Sequence, residues 1–198
     1  DAVRLVANER IEDRPIWLDG KVEVQDAGSQ WVVAACRAMP GQTVVDLCAG
    51  AGGKTLALGS LMGGQGRLIA CDTNRERLQR MAPRALRAGM TDIESRLLNP
   101  GREMEQLADL AGQADLVLVD APCSGSGTLR RNPEARWRLT PDRLDRLVAL
   151  QAHVLSVGAG LVRPGGCLVY AVCSLVAAEG AQQIANFLER SPDWQIDP

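Results

Sequence analysis

The chain has 198 residues, 46% of them apolar, and a formal net charge of −2. That length and apolar content suit one domain around one buried core. The balanced charge gives no global sign of a nucleic-acid partner, and no apolar run reaches the ~20 residues of a membrane helix, so no membrane partner is expected.

Residues 1–25 carry little periodicity and read as an irregular lead-in or short strands. The stretch "DAGSQWVVAACRAMPG" predicts a helix capped by Asp26 and ended by Pro40-Gly41. Apolar runs of strand length follow at 43–48, 66–72, 93–98, 114–122 and 166–174. Amphipathic stretches at 53–63, 74–89, 102–112 and 140–166 lie between them. Pro83 interrupts the second of these helices or ends its first part. The alternation predicts an α/β fold, with a Rossmann-like, doubly wound, mostly parallel sheet covered on both faces. The chain starts at Asp1 without a signal peptide, and its last residues, "DWQIDP", come before the final strand pair of such sheets. A fragment or a trimmed chain is therefore expected.

In such a sheet ligands bind at the carboxyl ends of the strands, and the unusual residue clusters fall there. "DLCAGAGGKT" (46–55) follows the first strand and opens a helix. A phosphate loop would need its first glycine at position 48, where Cys48 stands. The dinucleotide fingerprint has Gly50 and Gly52 in place but Thr55 at its third glycine. Asp72 ends the second strand, where an acid can accept both ribose hydroxyls or cap the next helix. A glycine turn plus that acid, without a full pyrophosphate cradle, suits an adenosine ligand with a short polar tail, such as S-adenosylmethionine. Basic residues are 20 arginines and two lysines, which makes Lys54 in this loop conspicuous; the other reading is a surface helix lysine.

Six cysteines stand at 36, 48, 71, 123, 167 and 173 without a Cys-x-x-Cys pair, and His153 is the only histidine. No metal site and no disulfide framework are expected, which fits a reducing cytoplasm. Cys36, Cys48, Cys71 and Cys167 read as buried filler, and His153 as helix packing. Cys123 and Cys173 differ, because they follow neighbouring strands and would face one cleft. A thiolate is a strong carbon nucleophile. Its addition to carbon 6 of a cytosine makes carbon 5 nucleophilic, so a methyl group can be taken there. An acid near ring nitrogen 3 would steady the adduct, and Asp120 is close enough in sequence to serve.

At these residues the chain resembles the Nop/Sun family of S-adenosylmethionine-dependent RNA cytosine-5 methyltransferases, closest to its bacterial 16S ribosomal RNA type. The resemblance rests on "QDAGSQ" (25–30), "DLCAGAGGKT", "DAPCSGSGTLRRNPEARW" (120–137) and "VYAVCSL" (169–175), and covers nearly the whole chain. It implies that Cys173 attacks the base, that Cys123 assists release of the product, and that Asp120 lies near both base and cofactor. It implies a cofactor site of Cys48, Ala49, Gly50, Ala51, Gly52, Gly53, Lys54, Asp72, Arg77, Asn99 and Asp120. Residues 1–40 become a lead-in and helix packed on a catalytic domain of 41–198, with no separate RNA-binding domain. Several positions depart from the family's pattern. Gly50-Ala51 replaces Ala-Pro, Asn99 replaces an aspartate, Val172 replaces the threonine before the second cysteine, and Ala177-Ala178-Glu179-Gly180 replaces Pro-Glu-Glu-Asn.

The segment 128–146 holds six arginines against three acids. Arg130, Arg131 and Arg136 there suit a phosphate backbone, and Trp137 suits stacking on an unpaired or flipped-out base; the other reading is a solvated helix face with a core tryptophan. The partner expected is RNA, ribosomal by the resemblance, acting on a monomer. Rival readings are a phosphate-loop hydrolase, a module that binds RNA or cofactor without turnover, and an enzyme in which the two cysteines exchange roles.

Overall fold

Five strands pair side by side as β1 (Thr43–Asp46), β2 (Arg67–Asp72), β3 (Glu94–Leu97), β4 (Ala114–Asp120) and β5 (Val162–Ala171). The computed structural model describes residues 10–197. The sheet order is β3-β2-β1-β4-β5, and every pairing is parallel. The helices are α1 (Pro15–Leu18), α2 (Ala27–Cys36), α3 (Gly53–Leu61), α4 (Arg75–Arg87), α5 (Glu103–Gln106), α6 (Ala135–Arg138), α7 (Pro141–Leu161) and α8 (Ala181–Arg190).

The central strands β1, β2 and β4 are largely apolar because both faces of the sheet are covered there, whereas the edge strand β3 is polar and β5 begins exposed. Val44, Leu116 and Leu118 point into one core with Val33 of α2 and Leu58 of α3. Val45, Val117 and Val119 point into the other with Val154, Val157 and Leu161 of α7. Gly158 lets α7 lie flush on the sheet, since a Cβ there would stand 2.8 Å from the Val119 side chain and 3.1 Å from that of Leu168. Strand order reverses between β1 and β4, so the crevice outside their carboxyl ends is where such sheets take ligands.

Four local expectations change. The described part of the lead-in holds a 3-10 turn, Ile11–Asp13, and α1, rather than strands. The helix capped by Asp26 stops at Cys36, because Arg37 turns left-handed at φ 48°. Pro83 neither ends nor divides α4. The proline lies on the exposed side, so the Gln79 carbonyl it cannot bond faces solvent, and burial of Leu78, Met81 and Ala85 holds the helix. Residues 102–112 form only α5 and the 3-10 turn Ala108–Leu110.

Candidate active site

β1 delivers the chain into the glycine loop, where Gly50 (φ 57°) and Gly52 (φ 80°) take left-handed conformations. Gly52 is also pressed close, since an added Cβ would stand 2.3 Å from the Met81 side chain. At Gly50 that position meets no atom within 4 Å, so this face of the loop is open. Asp72, at the end of β2, holds the loop in place. One of its oxygens accepts the Gly50 N–H at 2.8 Å and the other the Asn74 N–H at 2.7 Å. The cap of α4 is Asn74, which accepts the Arg77 N–H at 3.0 Å, so Asp72 is a loop tie and not the helix cap.

Lys54 is no surface lysine. Its side chain is 16% exposed, and its ammonium donates to Asp120 Oδ2 at 2.6 Å. Between the loop and β4 lies a cavity of about 260 Å³, lined on the sheet side by Asp46, Cys48, Ala49, Gly53, Lys54 and Asp120. Its opposite wall is Gln25, Asp26 and Ser29 of the "QDAGSQ" motif, with Val24 and Arg84, which the sequence did not mark. That wall is fastened to the loop. Gln25 donates to the Gly53 carbonyl at 3.1 Å, and Arg84 donates to the Ala51 carbonyl at 2.5 Å and to Glu23 at 2.9 Å.

Asp46 was also unmarked, although the strand-end rule that found Asp72 and Asp120 applies to it equally. It is fully buried, and its Oδ2 accepts the Thr55 hydroxyl at 2.7 Å. Its Oδ1 has no hydrogen-bond partner among the described residues. Burial pushes its pKa up to about 7, and the Thr55 hydroxyl, the Lys54 charge and the Cys48 N–H offset only part of that.

β4 and β5 stay paired to Asp120 and Ala171, so the turns that follow leave the sheet side by side. Cys123 Sγ and Cys173 Sγ come within 3.3 Å. The turns are zipped together: Gly127 N–H donates to the Cys173 carbonyl at 3.0 Å, and Leu175 N–H to Ser126 Oγ at 2.9 Å. The two thiols are driven apart in acidity. The hydrogen bond from Cys123 lowers Cys173 to about 6, while that same bond and then burial raise Cys123. Cys173 is exposed and Cys123 half-buried. Burial raises all four remaining cysteines, Cys36 and Cys71 to about 12.

Other expected residues lie outside this cluster. Arg77 is exposed on α4. Asn99 is exposed, with its N–H given to Gln106 at 2.7 Å, and neither residue lines the cavity. His153 pairs with Glu103 at 3.0 Å. Trp137 is 76% exposed and carries the Arg136 guanidinium 4.7 Å from its ring centre, so it is not a core residue. Arg130 is exposed, and Arg131 forms an ion pair with Asp26. Among the described residues, no group of three or more His, Cys, Asp or Glu could hold a metal ion, and no helix is long and apolar enough to cross a membrane.

The sequence model of the family described as 16S rRNA methyltransferase RsmB/F matches residues 33–198. The chain is 42% identical to the probable ribosomal RNA small subunit methyltransferase B of Synechocystis sp., over 95% of this chain and 42% of that protein. It is 37% identical to ribosomal RNA small subunit methyltransferase B of Klebsiella pneumoniae, over 99% of this chain and 44% of that protein. A crystal structure of PH0851 superposes with a TM-score of 0.88 at 35% identity, covering 94% of this chain and 42% of that one. The chain thus spans less than half the length of the curated relatives it matches.

Proposed function

The chain belongs to the 16S rRNA methyltransferase RsmB/F family, and from that premise we propose that it is the catalytic unit of an enzyme methylating carbon 5 of a cytosine in ribosomal RNA. The observation that carries the reading is the thiol pair, 3.3 Å apart at the ends of neighbouring strands, beside the Lys54–Asp120 ion pair.

S-adenosylmethionine, when bound, supplies an electrophilic methyl group on a sulfonium centre. The residues present fit such a cation. Asp26, Asp46 and Asp120 line the cavity against Lys54 and Arg84; Asp120 and Asp26 are paired, Asp46 offers an unpaired oxygen, and the open face at Gly50 leaves room. Loop residues 48–54 would hold the group, with Asp72 fixing the loop. Arg77 and Asn99, which like Gly50, Ala51 and Gly52 do not line the cavity, would meet the end of the group that extends beyond it.

The Cys173 thiolate adds to carbon 6 of the base, and the displaced ring electrons run toward nitrogen 3. Lys54 passes a proton through Asp120 to that nitrogen and recovers it when the ring is restored. Carbon 5, now enamine-like, takes the methyl group. Loss of the carbon-5 proton to a base restores the ring and expels the Cys173 thiolate. Cys123 receives it by donating its S–H, which stabilises the leaving group. Arg130, Arg136 and Trp137 face solvent and would carry the RNA. The protein acts in the cytoplasm, as a monomer, on an unpaired base.

The test is transfer of labelled methyl to ribosomal RNA. Cys173→Ala should reduce it to background, and Cys123→Ala should leave a protein–RNA adduct that survives a denaturing gel. An adduct that forms in Cys173→Ala and is lost in Cys123→Ala reverses the two roles. No transfer by the unmodified protein leaves only a binding module.

A further inference from the structure

We propose that Glu179 is a positioning residue that sets the spacing of the two thiols. It lies on the 3-10 turn Ala177–Glu179 and is fully buried. Its Oε1 accepts the Ser124 N–H at 2.8 Å and the Gln151 side chain at 2.9 Å. Its Oε2 accepts the hydroxyls of Ser124 and Ser174, each at 2.5 Å. Ser124 follows Cys123 and Ser174 follows Cys173, so one carboxylate grips the immediate neighbours of both sulfurs. Gln151 extends the grip by donating to the Pro122 carbonyl at 2.9 Å, and Tyr170 pins the turn by donating to the Glu179 carbonyl at 2.7 Å.

A carboxylate is suited to this place because it only accepts. An amide of the same shape could keep its oxygen on the Ser124 N–H and Gln151, but it would hold the two hydroxyls only if both turned round to accept, and without the negative charge that strengthens those bonds. Burial alone would raise the acid, yet the bonds from Ser124, Ser174 and Gln151 hold it below the ordinary range, so it stays charged. Loosening the turns would lengthen the S···S contact through which Cys123 lowers Cys173. The other charges felt by Cys173 are Asp120, which raises it, and Lys54, which lowers it; neither changes in the variants below.

The importance of the spacing rests on the two-thiol mechanism proposed above, whereas its test needs neither RNA nor cofactor. The rate of iodoacetamide alkylation at Cys173 is followed against pH by mass spectrometry of its peptide. In the unmodified protein the rate should rise with a midpoint near 6. Glu179→Gln should move the midpoint up by a unit or more, slowing alkylation at pH 6.5 by about threefold or more. Ser174→Ala, which keeps the acid but removes one donor, should move it partway. It decides the matter if Glu179→Gln does not fold, as judged by near-ultraviolet circular dichroism. Folded variants with the unmodified profile would overturn the proposal and make Glu179 a structural anchor. A midpoint near 9 in the unmodified protein would instead count against the thiol mechanism.

Discussion

Asp46 and Glu179 are both fully buried carboxylates at the carboxyl edge of the sheet, one beside the glycine loop and one beside the thiol turns. Asp46 has one hydrogen-bond donor and one unpaired oxygen, and its pKa is raised to about 7. Glu179 has four hydrogen bonds on its carboxylate, and its pKa is lowered. Both are shielded from solvent, but Asp46 lies deeper, has fewer donors and sits near the Asp120 charge, and these together give the two acids opposite signs. One carboxylate is left wanting a partner where a cation is proposed to bind. The other is saturated where two loops must be held rigidly.

The largest test of this contrast replaces each acid by its amide and measures urea unfolding at pH 8. Glu179→Gln should cost roughly 1–3 kcal/mol, because four charge-assisted bonds become neutral ones and two hydroxyls must reverse their orientation. Asp46→Asn should be neutral or stabilising by about 1–2 kcal/mol, because it removes a poorly compensated buried charge. Equal losses would break the contrast. A second effect lies in the pH dependence. The raised Asp46 contributes stability that is full below pH 3.8 and is lost as pH climbs to about 7, a fall on the order of 2–4 kcal/mol. Asp46→Asn should flatten that slope. The lowered Glu179 gives the opposite sign: its contribution is present above pH 4.5 and is lost as pH falls through its folded value. The smallest effect separates a sole donor from one of several. Thr55→Val should raise the apparent pKa of Asp46 and cost about 1–2 kcal/mol, whereas Ser124→Ala, with three of four bonds left on Glu179, should cost under about 1 kcal/mol.

The centre of the sheet was legible because β1, β2 and β4 are buried on both faces, which writes them as apolar runs. The glycine loop was legible because its shape depends on backbone, and glycine spacing records backbone. Asp72 acts through main-chain N–H groups near the chain reversal, so strand-end position was enough to find it. Glu179 could not be read this way. Its donors come from residues 124, 151 and 174, and only the closed fold brings them together. In the sequence it stands in "AAEG", a stretch marked only by what it lacks. The motif at 25–30 was visible, but its place as a cavity wall was hidden for the same reason, since Gln25 meets Gly53 across 28 positions. Pro83 misled because propensity was weighed without knowing which side of the helix it occupies.

The Lys54–Asp120 pair has a use in the laboratory. The chain contains two lysines. Lys21 has 69% of its side chain in solvent, whereas Lys54 has 16% and is already engaged. An amine-reactive ester should therefore tag Lys21 quickly and Lys54 slowly. The ratio of the two labels becomes a footprint of the cavity, falling when a ligand shields the buried amine and rising when Asp120 is removed. Arginine-rich composition thus leaves the protein with a built-in reporter beside its candidate active site.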